Sequence, residues 1–270
     1  MQDHEGREEL GLRACARNRK MKPVCIMRKS SITQVHKTGA HARLQERYDR
    51  MWSESIGDIR TGNIEPDPVL AAGLPDDRRC LTVIARPSPS VRRRVSALLA
   101  ALRDLEPDQY YYASSDLHVT VLSLFTPAVE NGRFFARKEQ YMTAIDAALR
   151  NVPAIRIEFS GVTTSPAAVM IQGFCENDAL NEVRDVLRGQ LRSRGLVEGL
   201  DGRYRLETAH ITVARFRARL RDSESFASAL ERARRLPIGV TNITGICLVK
   251  NDWYMSRQSL ETIKCYRLQL

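Results

Sequence analysis

A His-x-Thr pattern occurs twice in this chain, with His118 and Thr120 in the first copy and His210 and Thr212 in the second. Each copy lies in a short apolar run typical of a strand, where side chains alternate between two faces. Each histidine therefore shares a face with its threonine. Two imidazoles that face one cleft supply an acid and a base near neutral pH, and two hydroxyls can donate to phosphate oxygens. The doubled pattern predicts a site that cleaves phosphodiesters.

The composition is that of a globular protein with an excess of basic residues. The 270-residue chain carries 42 Lys and Arg against 32 Asp and Glu, which gives a formal net charge of +10. This charge suits a polyanionic partner such as RNA, although charge alone speaks mainly to solubility and non-specific binding. The basic residues are densest after the second motif, where they form either an RNA-binding surface or a solvated loop and helix face: Arg215, Arg217, Arg219, Arg221, Arg232, Arg234 and Arg235.

Several sequence features predict a cytoplasmic protein. No apolar run is as long as a membrane span, and the acidic N-terminal segment lacks the apolar stretch of a secretory signal. The six cysteines form no CxxC pair, so we expect neither a zinc site nor a disulfide framework. Four of them lie in or beside apolar strand-like runs, where buried free thiols are expected: Cys80, Cys175, Cys247 and Cys265.

Three regions follow one another along the chain. Residues 1–40 show no sustained periodicity and are expected to form a mobile N-terminal extension. Residues 41–77 comprise a predicted helix over 41–61 and a connector interrupted by prolines, and residues 78–270 form the main domain. The predicted helix carries an apolar stripe, which needs the body of the protein to pack against: Leu44, Tyr48, Trp52 and Ile56.

An internal repeat in the main domain carries the fold prediction. A strand, a helix with an apolar stripe, a loop and a His-x-Thr strand occur in that order twice, which implies two sheets related by a pseudo-twofold axis. The two motifs would then meet in a central cleft. The first copy comprises strand Cys80–Ala85, a helix from Ser90 and strand Leu117–Phe125; the second comprises strand Val169–Phe174, a helix from Asn177 and strand Ala209–Phe216.

Further elements are predicted between and after the two copies. Between them, a helix near Lys138–Arg150 precedes a strand near Ala154–Phe159. After the second copy, a helix near Glu224–Leu236 precedes two final strands, Thr244–Val249 and Cys265–Leu270.

The two motif segments, DLHVTVLSLF at 116–125 and ETAHITVAR at 207–215, resemble the 2H (two-histidine) phosphoesterase superfamily. The resemblance covers residues 78–270 and is greatest to the bacterial branch of 2'-5' RNA ligases and RNA 2',3'-cyclic phosphodiesterases. It implies a bilobal, duplicated α+β fold of antiparallel sheets with pseudo-twofold symmetry, helices on the outer faces and the active cleft between the lobes. It also implies catalysis with no metal or other cofactor. The first motif departs from the common F-L-G ending, since this chain has Ser123, Leu124 and Phe125 there.

Roles for individual residues follow from the chemistry of a cyclic phosphate. Hydrolysis needs a base to deprotonate water and an acid to protonate the departing ribose oxygen. We assign the base to His210 and the acid to His118, with the reverse assignment still open, and the two threonines stabilise the charge on the phosphate. Arg215 either adds charge at the cleft mouth or is structural. Four aromatic residues are candidates either for stacking on a base or for packing: Tyr112, Phe125, Trp253 and Tyr254.

Three functions fit these features. The first is hydrolysis of 2',3'-cyclic phosphate ends of RNA or nucleotides, with the 2'-5' RNA ligase activity that the resemblance implies. The second is a phosphodiesterase for 2'-5' oligonucleotides or small cyclic nucleotides. The third is a non-catalytic RNA-binding module, which is disfavoured because a binder has no need of two proton-transfer groups. In each case we expect a monomer that binds RNA or a nucleotide and does not contact a membrane.

Overall fold

The computed structural model describes residues 39–202 and 204–269. The mobile extension predicted for residues 1–40 lies outside them, apart from its last two positions. Within these ranges no helix is long and apolar enough to cross a membrane. The helices are α1 (Gly39–Ser53), α2 (Ile56–Thr61), α3 (Pro68–Ala71), α4 (Pro89–Leu105), α5 (Gly132–Phe135), α6 (Lys138–Leu149), α7 (Ala179–Arg192) and α8 (Ser223–Ala233), with a 3-10 turn at Glu176–Asp178.

The strands form two antiparallel sheets. One has four strands in the order β3-β1-β8-β9, and the other has five in the order β2-β6-β5-β4-β7. This confirms the predicted α+β class with two antiparallel sheets. The strand bounds are β1 (Cys80–Ala85), β2 (Tyr110–Tyr111), β3 (Val119–Ser123), β4 (Ile155–Ser165), β5 (Ala168–Cys175), β6 (Ile211–Arg215), β7 (Pro237–Ile243), β8 (Gly245–Asn251) and β9 (Glu261–Arg267).

The two copies of the repeat exchange their helices. Helix α4, which follows β1 of the four-stranded sheet, packs against β6 and β7 of the five-stranded sheet. Helix α7, which follows β5 of the five-stranded sheet, packs against β3 of the four-stranded sheet. Each helix therefore packs on the sheet to which the strand before it does not belong. One continuous apolar core extends through both sheets.

Local sequence signals set the helix ends. Helix α4 begins after Ser88, whose Oγ accepts a hydrogen bond from the amide of Val91 at 3.4 Å, and Pro89 occupies its first turn. Helix α8 begins after Asp222, whose carboxylate accepts from the amide of Ser225 at 3.0 Å. These capping residues satisfy amides that the helix itself leaves without partners.

The helix predicted over 41–61 is two helices, because the chain bends between α1 and α2. At the bend the Ser55 hydroxyl donates to the Met51 carbonyl at 2.7 Å and lies 2.6 Å from the Thr164 hydroxyl of β4. Helix α1 packs on β4 and β5. Its fully buried Tyr48 donates a hydrogen bond to the Gly173 carbonyl at 3.1 Å. The apolar stripe thus reaches the body of the protein as expected, and the polar contacts at the bend explain the break.

Two strands have no clear signal in the sequence. Strand β2 has only two residues, which the pattern assigns to a loop, and β7 lies where the pattern predicts no strand. Strand β7 is the outer strand of its sheet and buries Ile238, Thr241 and Ile243 while exposing Pro237 and Val240. Its mixed composition is typical of an edge strand, whose outer side faces solvent.

The cysteine prediction is wrong for one pair. Cys247 and Cys265 lie directly opposite each other on β8 and β9 and form a disulfide, whereas Cys80 and Cys175 are buried free thiols as expected. The pair lies 18 residues apart without a motif, and only the register of the two strands brings the sulfur atoms together. The prediction of a cytoplasmic protein rested partly on four free thiols, and two of these cysteines are paired in the disulfide.

Candidate active site

The two motif strands meet between the sheets. Strand β3 is the edge strand of one sheet, β6 is next to the short edge strand β2 of the other, and their Cα atoms approach within 8 Å. Each motif histidine is the residue directly before its strand. His118, Thr120, His210 and Thr212 all line one cavity of about 500 Å³. The structure therefore brings the two predicted motifs to one cleft.

A bulge follows the threonine in both motif strands. In β3, Thr120 pairs with Ile84 and Leu122 with Val83, so Val121 has no partner in the ladder. In β6, Thr212 pairs with Met170 and Ala214 with Val169, which leaves Val213 as the extra residue. An extra residue shifts the alternation of the strand by one position.

The bulge changes which side chains reach the cavity. Simple alternation would place Arg215 on the core face with Ile211 and Val213, but the shift places it on the face of His210 and Thr212, and it lines the cavity. Ser123 occupies the corresponding position of β3 and also lines the cavity. Each His-x-Thr motif together with the side chain after its bulge forms one half-site of the cleft. The two half-sites thus end in different groups, the Ser123 hydroxyl and the Arg215 guanidinium.

His118 is buried and is held by the backbone. Its Nδ1 lies 2.7 Å from the carbonyl oxygen of Asp116, and a carbonyl can only accept, so Nδ1 carries the proton. Burial lowers the pKa of His118 to about 4, the Asp116 carbonyl opposes this change, and Arg86 and Arg215 add to it. The remaining ring nitrogen, Nε2, is available for chemistry in the cavity.

His210 is held by a side chain instead. Its Nδ1 lies 2.7 Å from the Thr208 hydroxyl, which can donate or accept. The pKa of His210 is lowered to about 3, mostly by burial and in smaller part by the nearby Arg184, His118 and Arg215. Both imidazoles are therefore neutral at pH 7 in the ligand-free protein. A bound phosphate would raise both pKa values, because a negative charge nearby favours the imidazolium.

Arg215 lies within a cluster of aromatic rings. Its Nε donates to the Tyr112 hydroxyl at 2.9 Å, and its guanidinium carbon lies 5.6 Å from the ring centre of Trp253 and 5.8 Å from that of Tyr254. Burial alone would lower the Arg215 pKa, but the Tyr112 hydroxyl and the nearby Asp67 and Tyr254 outweigh burial and keep that pKa raised. The guanidinium is thus a fixed positive charge on the cavity wall beside both histidines.

The four aromatic candidates differ in what they offer a ligand. Trp253 is partly exposed and lines the cavity, so it is the one of the four that a ligand can contact, beside the guanidiniums of Arg78 and Arg215 at 5.2 and 5.6 Å from its ring centre. Phe125 and Tyr112 also line the cavity but are 1% and 3% exposed. The Phe125 ring already stacks on Phe134 at 4.5 Å between centroids. Tyr254 is buried and lies outside the cavity lining. For these three the packing interpretation fits the structure better.

The arginines beyond Arg215 turn away from the cavity. Arg217 donates to the Asp108 carbonyl at 2.9 Å, and Arg221 forms an ion pair with the Asp108 carboxylate at 2.5 Å. Arg234 lies 4.8 Å from the Trp52 ring centre and pairs with Asp49. Within this basic segment, the solvated-surface interpretation fits the residues that follow Arg215.

One buried arginine near the motifs is invisible to the sequence argument. Arg184 of α7 is fully buried, and its guanidinium donates at 2.8 Å to four oxygens. These are the carbonyls of Val121, Thr120 and Thr208 and the side-chain oxygen of Asn181. A charged residue within an amphipathic helix normally predicts an exposed position, so the pattern gives no signal for this contact.

Several other residues line the cavity although nothing in the sequence predicts it. Arg47 and Met51 of α1 line the cavity, so the N-terminal helix forms part of its wall, and Arg47 pairs there with Glu207. The exposed Tyr204 and the buried Asn251 line it as well. No pattern in the sequence links these residues, because they belong to separate elements. Within residues 39–202 and 204–269, no three His, Cys, Asp or Glu side chains cluster in a way that could hold a metal ion.

Comparison with known families decides the membership of the chain. The model of a family described as the 2'-5' RNA ligase superfamily matches residues 87–253, a range that holds both His-x-Thr motifs. The chain belongs to this superfamily. The match confirms the resemblance to two-histidine phosphoesterases. The matched range begins after α1, α2, α3 and β1, so the helix that contributes Arg47 to the cavity wall lies outside it.

Two solved structures, TT0787 and ATU0111, share the fold. Protein TT0787 of Thermus thermophilus is 17% identical, with a TM-score of 0.51 over 70% of this chain and 98% of its own. A conserved protein of unknown function from Agrobacterium tumefaciens, ATU0111, is 15% identical, with a TM-score of 0.52 over 80% and 97%. E. coli LigT, solved with 3'-AMP, is 16% identical, with a TM-score of 0.48 over 72% and 99%. No curated protein sequence matches this chain.

Proposed function

We propose that this protein is a metal-independent phosphodiesterase that hydrolyses 2',3'-cyclic phosphates at RNA ends or on nucleotides. The observation that carries the proposal is the pair of His-x-Thr motifs on one cavity, where a separate hydrogen bond holds each Nδ1 and leaves Nε2 for proton transfer. Membership of the 2'-5' RNA ligase superfamily supports phosphodiester chemistry in general. The cyclic substrate and the roles of the residues are our proposal.

The unequal partners of the two histidines favour His118 as the acid and His210 as the base. Arginines oppose protonation of both imidazoles, Arg86 and Arg215 at His118 and Arg184 and Arg215 at His210. The difference is the Asp116 carbonyl, which accepts from Nδ1 of His118 and so stabilises its imidazolium. When a substrate phosphate brings its negative charge, the first proton therefore goes to His118. His210 stays neutral, with its Nδ1 proton directed at the Thr208 hydroxyl and its Nε2 lone pair available.

The proposed step transfers one proton at each end of the phosphorus. Nε2 of His210 takes a proton from water as the water oxygen bonds to phosphorus. The bond from phosphorus to one ribose oxygen breaks, and Nε2 of His118 gives its proton to that oxygen, which leaves a phosphomonoester and a free ribose hydroxyl. The hydroxyls of Thr120 and Thr212 stabilise the charge that develops on the non-bridging oxygens, together with the Arg215 guanidinium.

The cavity suits a nucleotide end. Its volume of about 500 Å³ falls in the range of small-molecule sites, roughly 300–1,000 Å³. Trp253 offers a ring on which a base can stack.

A second activity uses the same groups. If a 5'-hydroxyl replaces water as the nucleophile, His210 takes its proton and the cyclic phosphate opens at the 3'-oxygen, which produces a 2'-5' bond. The description of the family as 2'-5' RNA ligases favours this candidate. The reaction joins two RNA ends and consumes no nucleotide cofactor, because the strained cyclic ester supplies the driving force.

One assay separates the candidate functions. The purified full chain is incubated with 2',3'-cyclic nucleotides, with a short RNA that ends in a 2',3'-cyclic phosphate and with 2'-5'-linked dinucleotides, and products are read by mass spectrometry. We expect a phosphomonoester from the first two substrates and none after substitution of both His118 and His210 by Ala. Turnover confined to the 2'-5'-linked dinucleotides would favour the second phosphodiesterase function. Binding of RNA without any turnover would favour the binding module.

A further inference from the structure

Two arginines on α7, one helical turn apart, are both buried but have different partners. Arg188 is paired with carboxylates, since its guanidinium bonds Asp201 at 2.7 and 2.9 Å and Asp185 at 3.0 Å. Arg184 forms no ion pair with any carboxylate of the described residues and bonds only neutral oxygens. Its pKa is lowered by burial to about 10, so it remains charged at neutral pH. A buried charge without a counter-charge is costly to keep.

Three of the four oxygens that Arg184 binds are carbonyls of β3 or of the segment directly before β6. The carbonyls of Thr120 and Val121 lie at the bulge of the first motif, each 2.8 Å from a guanidinium nitrogen. The carbonyl of Thr208, also at 2.8 Å, belongs to the residue whose hydroxyl holds His210. Asn181 orients the guanidinium from one turn earlier on α7. One side chain thus joins the backbone of β3 to that of the segment leading into β6, and these two strands belong to different sheets.

We propose that Arg184 is a positioning residue that sets the spacing of the two half-sites across the cleft, through its hydrogen bonds to Thr120, Val121 and Thr208. The inference rests on the proposed function and adds a residue that the His-x-Thr motifs do not contain. The planar guanidinium has donors in a rigid fork, so it can bind three carbonyls at once. A misplacement of about 1 Å between reacting groups can lower a rate roughly 100-fold.

The test separates the geometry of Arg184 from its charge. Arg184→Lys keeps the positive charge but loses the fork, so kcat is expected to fall roughly 10- to 100-fold with KM within about 3-fold and with an unmoved pH profile. Arg184→Met also removes the charge, so kcat falls at least as far and the acid limb of kcat moves to higher pH. That limb reports His210, which also faces His118 and Arg215, and both remain in each variant.

Arg188→Lys is the matched control, because it loses a buried fork on the same helix whose one carbonyl contact, Leu206 at 3.4 Å, lies outside both motifs. It is expected to lower the melting temperature as Arg184→Lys does while kcat stays within about 3-fold. A folded Arg184→Lys variant with wild-type kcat would overturn the proposal. Equal losses of kcat in the two lysine variants would overturn it as well, since they would indicate general loosening of α7.

Two further measurements keep the test decisive. If Arg184→Lys does not fold, Asn181→Asp is used, since its carboxylate keeps the acceptor for Arg184, and Asn181→Ala, which loses that acceptor together with the bonds of Asn181 to Asp178 and the Glu207 carbonyl, is compared with it. A fall in kcat of roughly 3- to 10-fold is expected for Asn181→Ala relative to Asn181→Asp. An unchanged kcat there would contradict the proposal. If the wild type turns over no substrate, the proposed function fails on its own. The positioning role is then read from inorganic phosphate binding by NMR, where Arg184→Lys should weaken the joint perturbation of both imidazoles and unchanged shifts would refute it.

Discussion

The two half-sites of the cleft are built alike and finished differently. Both have a histidine directly before the strand, a threonine two residues later and a bulge directly after the threonine. They differ in the group that holds Nδ1, a carbonyl for His118 and a hydroxyl for His210, and in the side chain after the bulge, Ser123 or Arg215.

These differences give different chemical roles to the histidines of two identical motifs. Arginines oppose protonation of both histidines, but only His118 has a carbonyl acceptor that stabilises its imidazolium. One copy of the motif is therefore suited to give a proton and the other to take one. The duplication therefore explains the symmetry of the site. The neighbours of each copy explain which histidine gives a proton and which takes one.

Removing either imidazole is expected to have the largest effect. His118→Ala and His210→Ala should each lower kcat for a 2',3'-cyclic nucleotide by roughly two to four orders of magnitude, because each removes one proton transfer. The double variant should lose little more than the worse single variant, since the two groups act together. His41→Ala is the control, because His41 stacks on Phe174 and does not line the cavity. Full turnover in the double variant would refute the two-histidine mechanism.

Making the half-sites more alike at the position after the bulge is expected to have the next effect. Arg215→Met should lower kcat about 100-fold, because the transition state loses a preorganised positive charge. Ser123→Ala, at the matching position of β3, should change kcat only about 3-fold. Arg217→Met controls for the loss of one positive charge outside the cavity. Comparable losses from Arg215→Met and Ser123→Ala would mean that the asymmetry at this position is unimportant.

Loss of the hydroxyl that holds His210 is expected to have a smaller effect. Thr208→Val preserves the shape of the side chain but leaves Nδ1 without a partner, so kcat should fall about 10-fold while KM stays the same. Thr208→Ser restores the hydroxyl and should recover most of the rate. If the valine and serine variants have equal kcat values, the Thr208 hydroxyl has no part in orienting His210.

Chelation is expected to have no effect. The two imidazoles already supply acid and base, so treatment with EDTA followed by dialysis should leave kcat and KM unchanged. Loss of activity that a single divalent metal restores would contradict the proposed chemistry and would replace one imidazole by a metal-bound water as the base.

Much of the fold follows from periodicity in the sequence. Strand β1 has the predicted bounds, and α4, α6 and α7 begin within two residues of their predicted starts, because each carries a regular apolar pattern with a clear end signal. The shared face of His118 and Thr120 also follows from alternation. The bend between α1 and α2 does not, because it depends on contacts of Ser55 with β4.

The finer geometry of the site depends on long-range register. The bulges at Val121 and Val213 arise from pairing with β1 and β5, so regular alternation along the motif strand does not give the face that Arg215 takes. The same limit applies to the Cys247–Cys265 disulfide and to Arg184, whose contacts join separate elements. Local patterns predict which face a residue takes along one strand, and tertiary pairing decides where that alternation shifts.

The most direct test of the division of labour is the pH dependence of kcat and kcat/KM for a 2',3'-cyclic nucleotide. Burial lowers the pKa of His118 to about 4 and that of His210 to about 3. In the free protein the protonated fraction of His118 therefore falls as the pH rises above about 4. We predict that kcat/KM decreases steadily from about pH 5 to 8, because it follows the protonated fraction of His118 in the free protein. The alkaline limb of kcat should lie at higher pH, because the bound phosphate raises the pKa of His118. A value of kcat/KM that stays constant from pH 5 to 8, or rises, would contradict it.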